Sequence, residues 1–190
     1  MKYKLKKIAN IQTGYTFRNK IVHRDDGNFA VIQMKDLDSE YIKDNKDILK
    51  ISDFNISDKH FIQNGDLLFK SRGSNNTSSI FDDKITAILS APLLLIRINN
   101  TQILPEYLNW YIGSSIAQSY FNSISEGTSQ KMINKSALEN LEINIPPLEK
   151  QKLIIELARL AVLESELLDQ LMKNKNKYYN NILMNIVKGD

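Results

Sequence analysis

The sequence has 190 residues, 25 Lys and Arg against 22 Asp and Glu, a net charge of +3, 42% hydrophobic residues and no Cys. These values are typical of one globular domain with an appendage; they exclude a disulfide framework and thiol chemistry, and give a mild preference for polyanions. The basic N-terminus lacks the apolar run of a signal peptide, and no apolar stretch reaches membrane-spanning length. We therefore expect a cytoplasmic protein without membrane contact.

The first half of the chain predicts short strands separated by polar loops. A short opening helix is expected because Leu5, Ile8 and Ala9 have helical spacing. Apolar runs bounded by turn-forming residues predict strands at residues 29–33, 48–51, 66–70, 85–89 and 93–98. The polar stretch at residues 36–47 predicts a surface loop or a short hairpin, and the one at residues 72–79 predicts a small polar loop.

The second half predicts more helix. Residues 105–123 begin with Pro and predict one helix, whose buried face would carry Leu108, Ile112, Ile116 and Tyr120. Ser136 and Glu139 have the spacing of a capping box and predict one helical turn, followed by a strand at residues 141–145. The sequence therefore predicts an α+β domain.

The last quarter of the chain predicts one unbroken helix. After Pro146 and Pro147 no Pro or Gly occurs until Gly189. The residues at coiled-coil spacing, which we call the seam, are Leu153, Leu157, Leu160, Glu164, Leu167, Leu171, Asn174 and Tyr178. The seam would fold back on its own domain or pair with a second helix. We favour pairing, because six apolar side chains worth about 1.5–3 kcal/mol each are too much surface to leave in water.

The sequence contains no motif for catalysis, a cofactor or a metal. His23 and His60 are far apart in sequence without a Cys, and the seven glycines form neither a dinucleotide nor a phosphate loop. Three polar segments, at residues 15–20, 70–77 and 127–131, carry groups that bind phosphates and base edges. The alternative is that these loops are only solvated. The candidate DNA-binding residues are Tyr15, Thr16, Arg18, Lys20, Lys70, Arg72, Ser74, Asn75, Asn76, Thr128, Ser129, Gln130 and Lys131.

Four motifs in order resemble those of type I restriction–modification specificity (S) subunits. Residues 65–73 read Gly-Asp-Leu-Leu-Phe-Lys-Ser-Arg-Gly and resemble a family signature in which Ser often stands at the place of Lys70. The other three matches are Leu5, Ile8, Gly14 and Thr16 at the start, the Gly-polar-x-x-Lys loop at residues 127–131, and the Ile-x-Ile-Pro-Pro-Leu-x-x-Gln-x-x-Ile run at residues 143–154.

The resemblance implies a non-catalytic target recognition domain over residues 1–146 and a spacer helix over residues 147–188. In the family such a domain reads one half of a bipartite sequence in double-stranded DNA. The S subunit docks two methyltransferase (modification) subunits and, for cleavage, restriction subunits. The implied fold is a mixed α/β target recognition domain followed by one long C-terminal coiled-coil helix, with no cofactor.

The chain departs from the family in length, because family members usually hold two recognition domains and two helices. A homodimer through the seam would supply the second set, since a two-fold interface lets identical surfaces pair. Glu164 and Asn174 would then disfavour wrong registers. Two identical domains imply an interrupted palindrome as target. The alternatives are a half-sized module that pairs with a full-length S subunit or its enzyme partners and redirects them, and a fragment of a fused restriction–methylation polypeptide.

Overall fold

The structure, a computed structural model, describes residues 1–37, 48–52, 57–73, 76–125 and 132–189. The chain forms two compact units, Met1–Gln151 and Lys152–Asp190. The strands are β1 (Lys2–Lys4), β2 (Ala9–Thr13), β3 (Phe29–Ile32), β4 (Leu49–Ile51), β5 (Leu67–Phe69), β6 (Ser78–Ile80), β7 (Ala87–Leu89), β8 (Leu94–Ile98) and β9 (Glu142–Asn144). The α-helices are α1 (Pro105–Gly113), α2 (Ser115–Ser125), α3 (Lys135–Glu139) and α4 (Leu148–Lys188).

Three sheets are present in the described part of the first unit. The largest has the order β2-β8-β5-β6 and is antiparallel throughout. A second has the order β4-β3-β7, with β3 parallel to β7, and a third pairs β1 with β9. One core cluster takes Leu68 and Leu95 from the first sheet and Ile32 and Leu89 from the second. These two sheets therefore share a hydrophobic core.

The predicted strands at residues 29–33, 66–70, 85–89 and 93–98 are confirmed with shorter bounds, and the opening helix is wrong. Leu5–Lys7 form a single 3-10 turn, and Ala9–Thr13 form β2. Ala9 and Ile11 are buried while Asn10 is exposed, so the period is that of a strand. Residues 78–80 of the predicted polar loop form β6, because small serines fit a covered strand without giving a hydrophobic signal.

The predicted helix at residues 105–123 is two helices. Ser114 is extended (φ −68°, ψ 155°) and ends α1 before α2 begins at Ser115. The break changes which residues are buried: Ala117 and Phe121 enter the core, whereas Ile116 is 65% exposed. Similarly, α3 is capped by Asn134, whose Oδ1 accepts from the Ala137 amide at 2.8 Å, so the predicted capping box is wrong.

The long C-terminal helix is confirmed. It runs without interruption from Leu148 to Lys188 and its one buried residue is Gln151. The apolar seam side chains are between 49% and 66% exposed; they are Leu153, Leu157, Leu160, Leu167, Leu171 and Tyr178. Glu164 and Asn174 are exposed as well. Among the described residues, no helix combines the length and the apolar character needed to cross a bilayer.

A buried ion pair stabilises the turn before β5. Gly65 takes the positive φ of +87° that glycine favours, and Asp66 follows it with a side chain only 3% exposed. The carboxylate accepts from Arg97 Nη2 at 2.6 Å and Nε at 2.9 Å, and from the Gln63 amide at 2.7 Å. Arg97 also donates to the Phe61 carbonyl at 2.9 Å. The hydrogen bond to Asp66 raises the pKa of Arg97 more than burial lowers it.

We expect Asp66→Ala to lower the free energy of unfolding of this unit by about 2 kcal/mol, because the half-buried Arg97 would lose its counter-charge and the Gln63 amide would lose its acceptor. Urea unfolding followed by fluorescence of Trp110, the only tryptophan, measures this. Asp25→Ala is the matched control, since it removes the carboxylate of an exposed pair with His23. Equal urea midpoints for Asp66→Ala and Asp25→Ala would contradict the assignment.

Candidate nucleic-acid interface

A backbone turn between β7 and β8 is the anchor of the candidate interface. We call residues 90–93 the central turn; the Leu93 amide donates to the Ser90 carbonyl at 3.1 Å, and the Ala91–Pro92 peptide is cis. Ser90 is buried and Ala91 exposed, so the turn has one covered and one accessible side. The first two segments that the sequence singled out, and the residues that follow the third, attach to this turn or to one another.

The first segment, which follows β2, is bonded to the central turn through its backbone. The Tyr15 amide donates to the Leu89 carbonyl at 2.6 Å, and the Tyr15 carbonyl accepts from the Ala91 amide at 2.9 Å. The Gly14 amide donates to the Leu93 carbonyl at 2.9 Å. A Cβ at Gly14 would lie 2.5 Å from the Ser90 carbonyl carbon, so glycine is needed for this close approach.

The second segment closes into a loop beside the same turn. The buried Ser71 hydroxyl donates to the Pro92 carbonyl at 2.6 Å. The Lys70 amide donates to the Thr77 carbonyl at 2.8 Å, and Asn76 Nδ2 donates to the Lys70 carbonyl at 3.0 Å. Asn76 is only 7% exposed, so its amide closes this loop and does not face solvent for a base. The interface role predicted for Asn76 does not fit that position.

The two residues that follow the third segment, Met132 and Ile133, are bonded to the second segment, whereas residues 127–131 themselves lie outside the described residues. The Ile133 amide donates to the Ser71 carbonyl at 2.8 Å, and Arg72 forms an antiparallel bridge with Met132. Arg72 Nε also lies 3.4 Å from Met132 Sδ. Three stretches that are far apart in sequence are thus held around one turn.

The structure brings most of the described candidates to the solvent side of this assembly. Thr16, Arg18, Lys20 and Arg72 are exposed, and Tyr15 and Lys70 are half-buried. Three of the four cations among them, and the hydroxyl of Thr16, are therefore accessible to a phosphate. The candidates that lie outside the described residues are Ser74, Asn75, Thr128, Ser129, Gln130 and Lys131.

Sequence reasoning missed an aromatic cluster beside the first segment. The ring of Tyr15 lies 4.8 Å from that of Phe17 and 5.2 Å from that of His60, both edge to face. Desolvation, and then the charge of Lys59, lowers the pKa of His60, which favours the neutral ring at pH 7. The Tyr-x-Phe alternation was the only signal in the sequence, because His60 is 45 residues away.

Within the described ranges, no group of three or more His, Cys, Asp or Glu side chains could hold a metal ion. The exposed candidates among the described residues are three cations and a hydroxyl on stretches whose backbones are bonded to the central turn or to a neighbour of it. Such an arrangement binds phosphates through the cations and base edges through the neutral polar groups.

A family model for the type I restriction modification DNA specificity domain matches residues 1–181 of the chain. Specificity subunits are the DNA-recognition components of type I restriction–modification systems and are not catalytic. The comparison with curated proteins yields no match.

The fold is similar to those of solved specificity subunits. The HsdS subunit from Thermoanaerobacter tengcongensis matches with a TM-score of 0.59 and 17% identity, over 87% of this chain and 37% of that one. A chain from a structure of the assembly of a type I R-M system matches with a TM-score of 0.61 and 18% identity, over 87% of this chain and 38% of that one. The S subunit from M. genitalium matches with a TM-score of 0.51 and 13% identity, over 92% of this chain and 41% of that one. The chain therefore spans about two fifths of the length of each.

We expect Gly14→Ala to lower the free energy of unfolding by about 1–3 kcal/mol, because the added methyl group must push the backbone of the central turn away. Trp110 fluorescence during urea unfolding measures the change. Gly113→Ala is the control: no atom lies within 4 Å of its added Cβ, and we expect unchanged or slightly higher stability. A Gly14→Ala protein as stable as wild type would show that the first segment is not held as described.

Proposed function

The chain belongs to the family of type I restriction modification DNA specificity domains, and we propose that it supplies the sequence specificity of such a system. In this proposal the unit Met1–Gln151 reads one half of a bipartite target in double-stranded DNA. It acts as a homodimer through α4, docks methyltransferase subunits and carries no catalytic residue. Where the system also cleaves DNA, restriction subunits would join the same complex, and the site of action is the cytoplasm.

The observation that carries the reading role is that two polar segments, and the residues that follow the third, are bonded to the central turn or to one another. Arg18, Lys20 and Arg72 are exposed on stretches whose backbones are bonded to the turn or to a neighbour of it. A surface on which cations and hydroxyls stand on a fixed frame can hold one register on a duplex, as sequence reading requires. We assign the remaining candidates of these loops, Ser74, Asn75, Thr128, Ser129, Gln130 and Lys131, to the same surface.

The dimer is proposed because the seam is exposed. The eight seam positions follow one another along α4 at alternating four- and three-residue steps, and the six apolar side chains among them are each about half or more exposed. Such a stripe is the surface that a second helix buries in a coiled coil. In a two-fold antiparallel pair each copy offers the same surface to the other, so one sequence satisfies both sides.

The polar seam positions support a single register. Glu164 and Asn174 stand between the leucines of the seam. In a shifted register these groups would face apolar side chains and lose hydration, which costs free energy unless they find polar partners. The 41 residues of α4, at 1.5 Å each, would separate the two reading units by a helix about 60 Å long.

The methyltransferase contact is assigned to the helix pair and the adjoining reading units. With a net charge of only +3, the chain has little excess positive charge to attract the phosphate backbone, and the modification subunits would supply further phosphate contacts. We therefore expect the isolated chain to bind DNA weakly.

We expect Arg72→Ala to weaken DNA association about tenfold at 0.1 M salt and to reduce the slope of log K against log salt by about 1, because one phosphate or base contact is lost. Fluorescence anisotropy with a labelled duplex across a salt series measures both. Arg159→Ala removes an exposed arginine from α4 and should leave both values unchanged. An unchanged slope for Arg72→Ala would remove the second segment from the interface.

We expect the wild-type chain to sediment at twice its 21.9 kDa mass at micromolar concentration. Leu160→Glu combined with Leu167→Glu should give the monomer, because two buried carboxylates would oppose pairing. Val162→Glu is the matched control, since Val162 is exposed and lies about 200° around the helix from Leu160. A monomeric wild type, or one that associates only with a longer specificity subunit, would contradict the homodimer.

A further inference from the structure

Gln151 is a polar side chain that is completely buried at the start of an otherwise exposed helix. Its Nε2 donates to the Gln102 carbonyl at 2.7 Å and to the Pro146 carbonyl at 2.8 Å. Its Oε1 accepts from the Leu104 amide at 2.9 Å. We call these four residues the helix joint. Both hydrogens and the oxygen of the carboxamide are bonded to backbone.

The carboxamide of Gln151 does more than fill buried space, because its hydrogen bonds fix the geometry of the helix start. An apolar side chain of the same size would fill the space in several rotamers, whereas three hydrogen bonds to fixed backbone atoms are made in one geometry only. Any other placement of the first turn of α4 would leave buried polar groups without partners, which is costly. The helix joint therefore holds the beginning of α4 in one position within the unit Met1–Gln151.

The helix joint continues into α1. Leu104 is the N-cap residue of α1, so Gln151 ties the start of one helix to the start of another. Two tyrosines of α1 then bind β9, the strand that leads to α4: Tyr107 donates to the Asn144 carbonyl at 2.6 Å and Tyr111 to the Glu142 carbonyl at 3.1 Å. The chain entering α4 is thus bonded to α1 from two sides.

Helices α1 and α2 are bonded to the second segment and to β6, the strand that follows it. Ser78 Oγ and Asn109 Oδ1 lie 2.7 Å apart, and Gln118 Nε2 donates to the Asn76 carbonyl at 2.7 Å. Asn76 in turn closes the loop through Lys70. A continuous set of hydrogen bonds therefore runs from the loop that carries Arg72, through α2 and α1, to Gln151.

We propose that Gln151 is a positioning residue that sets the spacing between the two half-sites of the DNA target. This inference rests on the proposed function. The reading loop and the first turn of α4 belong to one hydrogen-bonded frame, and in the proposed dimer α4 leads from that frame to the partner copy. Adding one base pair moves a half-site by about 3.4 Å and turns it by about 35°. Only a rigid dimer would therefore bind a target with one extra base pair less tightly.

The first test compares Gln151→Met, which has similar volume and no amide, with wild type on three duplexes. These contain two identical half-sites at the preferred spacing, at that spacing plus one base pair, or a single half-site. We expect Gln151→Met to keep single half-site affinity and to lose about tenfold of its preference for the correct spacing. Gln170→Met, on the exposed part of α4, is the control and should match wild type.

An unchanged spacing preference in Gln151→Met would overturn the inference, and so would an equal loss of single half-site affinity. If the wild type binds no half-site, the proposed function fails. A measurement without DNA then tests whether Gln151 fixes the position of α4. The chain has no native cysteine, so Asn99→Cys and Glu166→Cys allow two spin labels, with unlabelled chain added in excess. We expect a narrow distance distribution that Gln151→Met broadens; equal widths would refute the role.

Hydrogen exchange in the wild type covers the case in which Gln151→Met does not fold. The Leu104 amide is bonded only to a side chain in its described contacts, and we expect its exchange to be at least about tenfold slower than in a free peptide. Exchange at the free-peptide rate would mean that the helix joint does not form in solution, and the inference would fall.

Discussion

The backbone of the central turn is the constraint on which the candidate interface depends. Tyr15, Ser71 and Ile133 come from distant parts of the sequence, and each is held at this turn or beside it through at least one backbone group. Backbone hydrogen bonds do not depend on the neighbouring side chains. The exposed residues between these anchors can therefore change without moving the segments, which is the property that a family of different sequence readers needs.

The motifs that resemble the family lie mainly in this frame. Gly65 and Asp66 form a turn and a buried ion pair with Arg97, and Gln151 fills the helix joint. The side chains of Asp66 and Gln151 are buried and are not accessible to a duplex. The resemblance therefore rests largely on residues that shape the fold, whereas Arg18 and Arg72 are exposed and are the positions to which the proposed function assigns contacts with DNA.

Sequence reasoning succeeded where one pattern dominates a long stretch. The run from Leu148 to Lys188 has helical spacing without a breaker, and the structure contains one helix there. It failed where tertiary contacts decide. Ala9–Thr13 is a strand because it pairs with β8, and Ser114 divides one predicted helix into two. Neither the burial of Asn76 nor the three bonds of Gln151 could be read from spacing, because their partners are backbone groups distant in sequence.

In the proposed dimer, the exposed seam joins two copies of the chain and the helix joint positions the start of α4 in each. The two copies would bind one DNA molecule in opposite orientations. The most direct test is to sequence modified adenines in DNA treated with the chain assembled with its methyltransferase subunit. The account predicts an interrupted palindrome: two identical inverted half-sites with one fixed spacer length. Two different half-sites, or a spacer that varies freely, would contradict it.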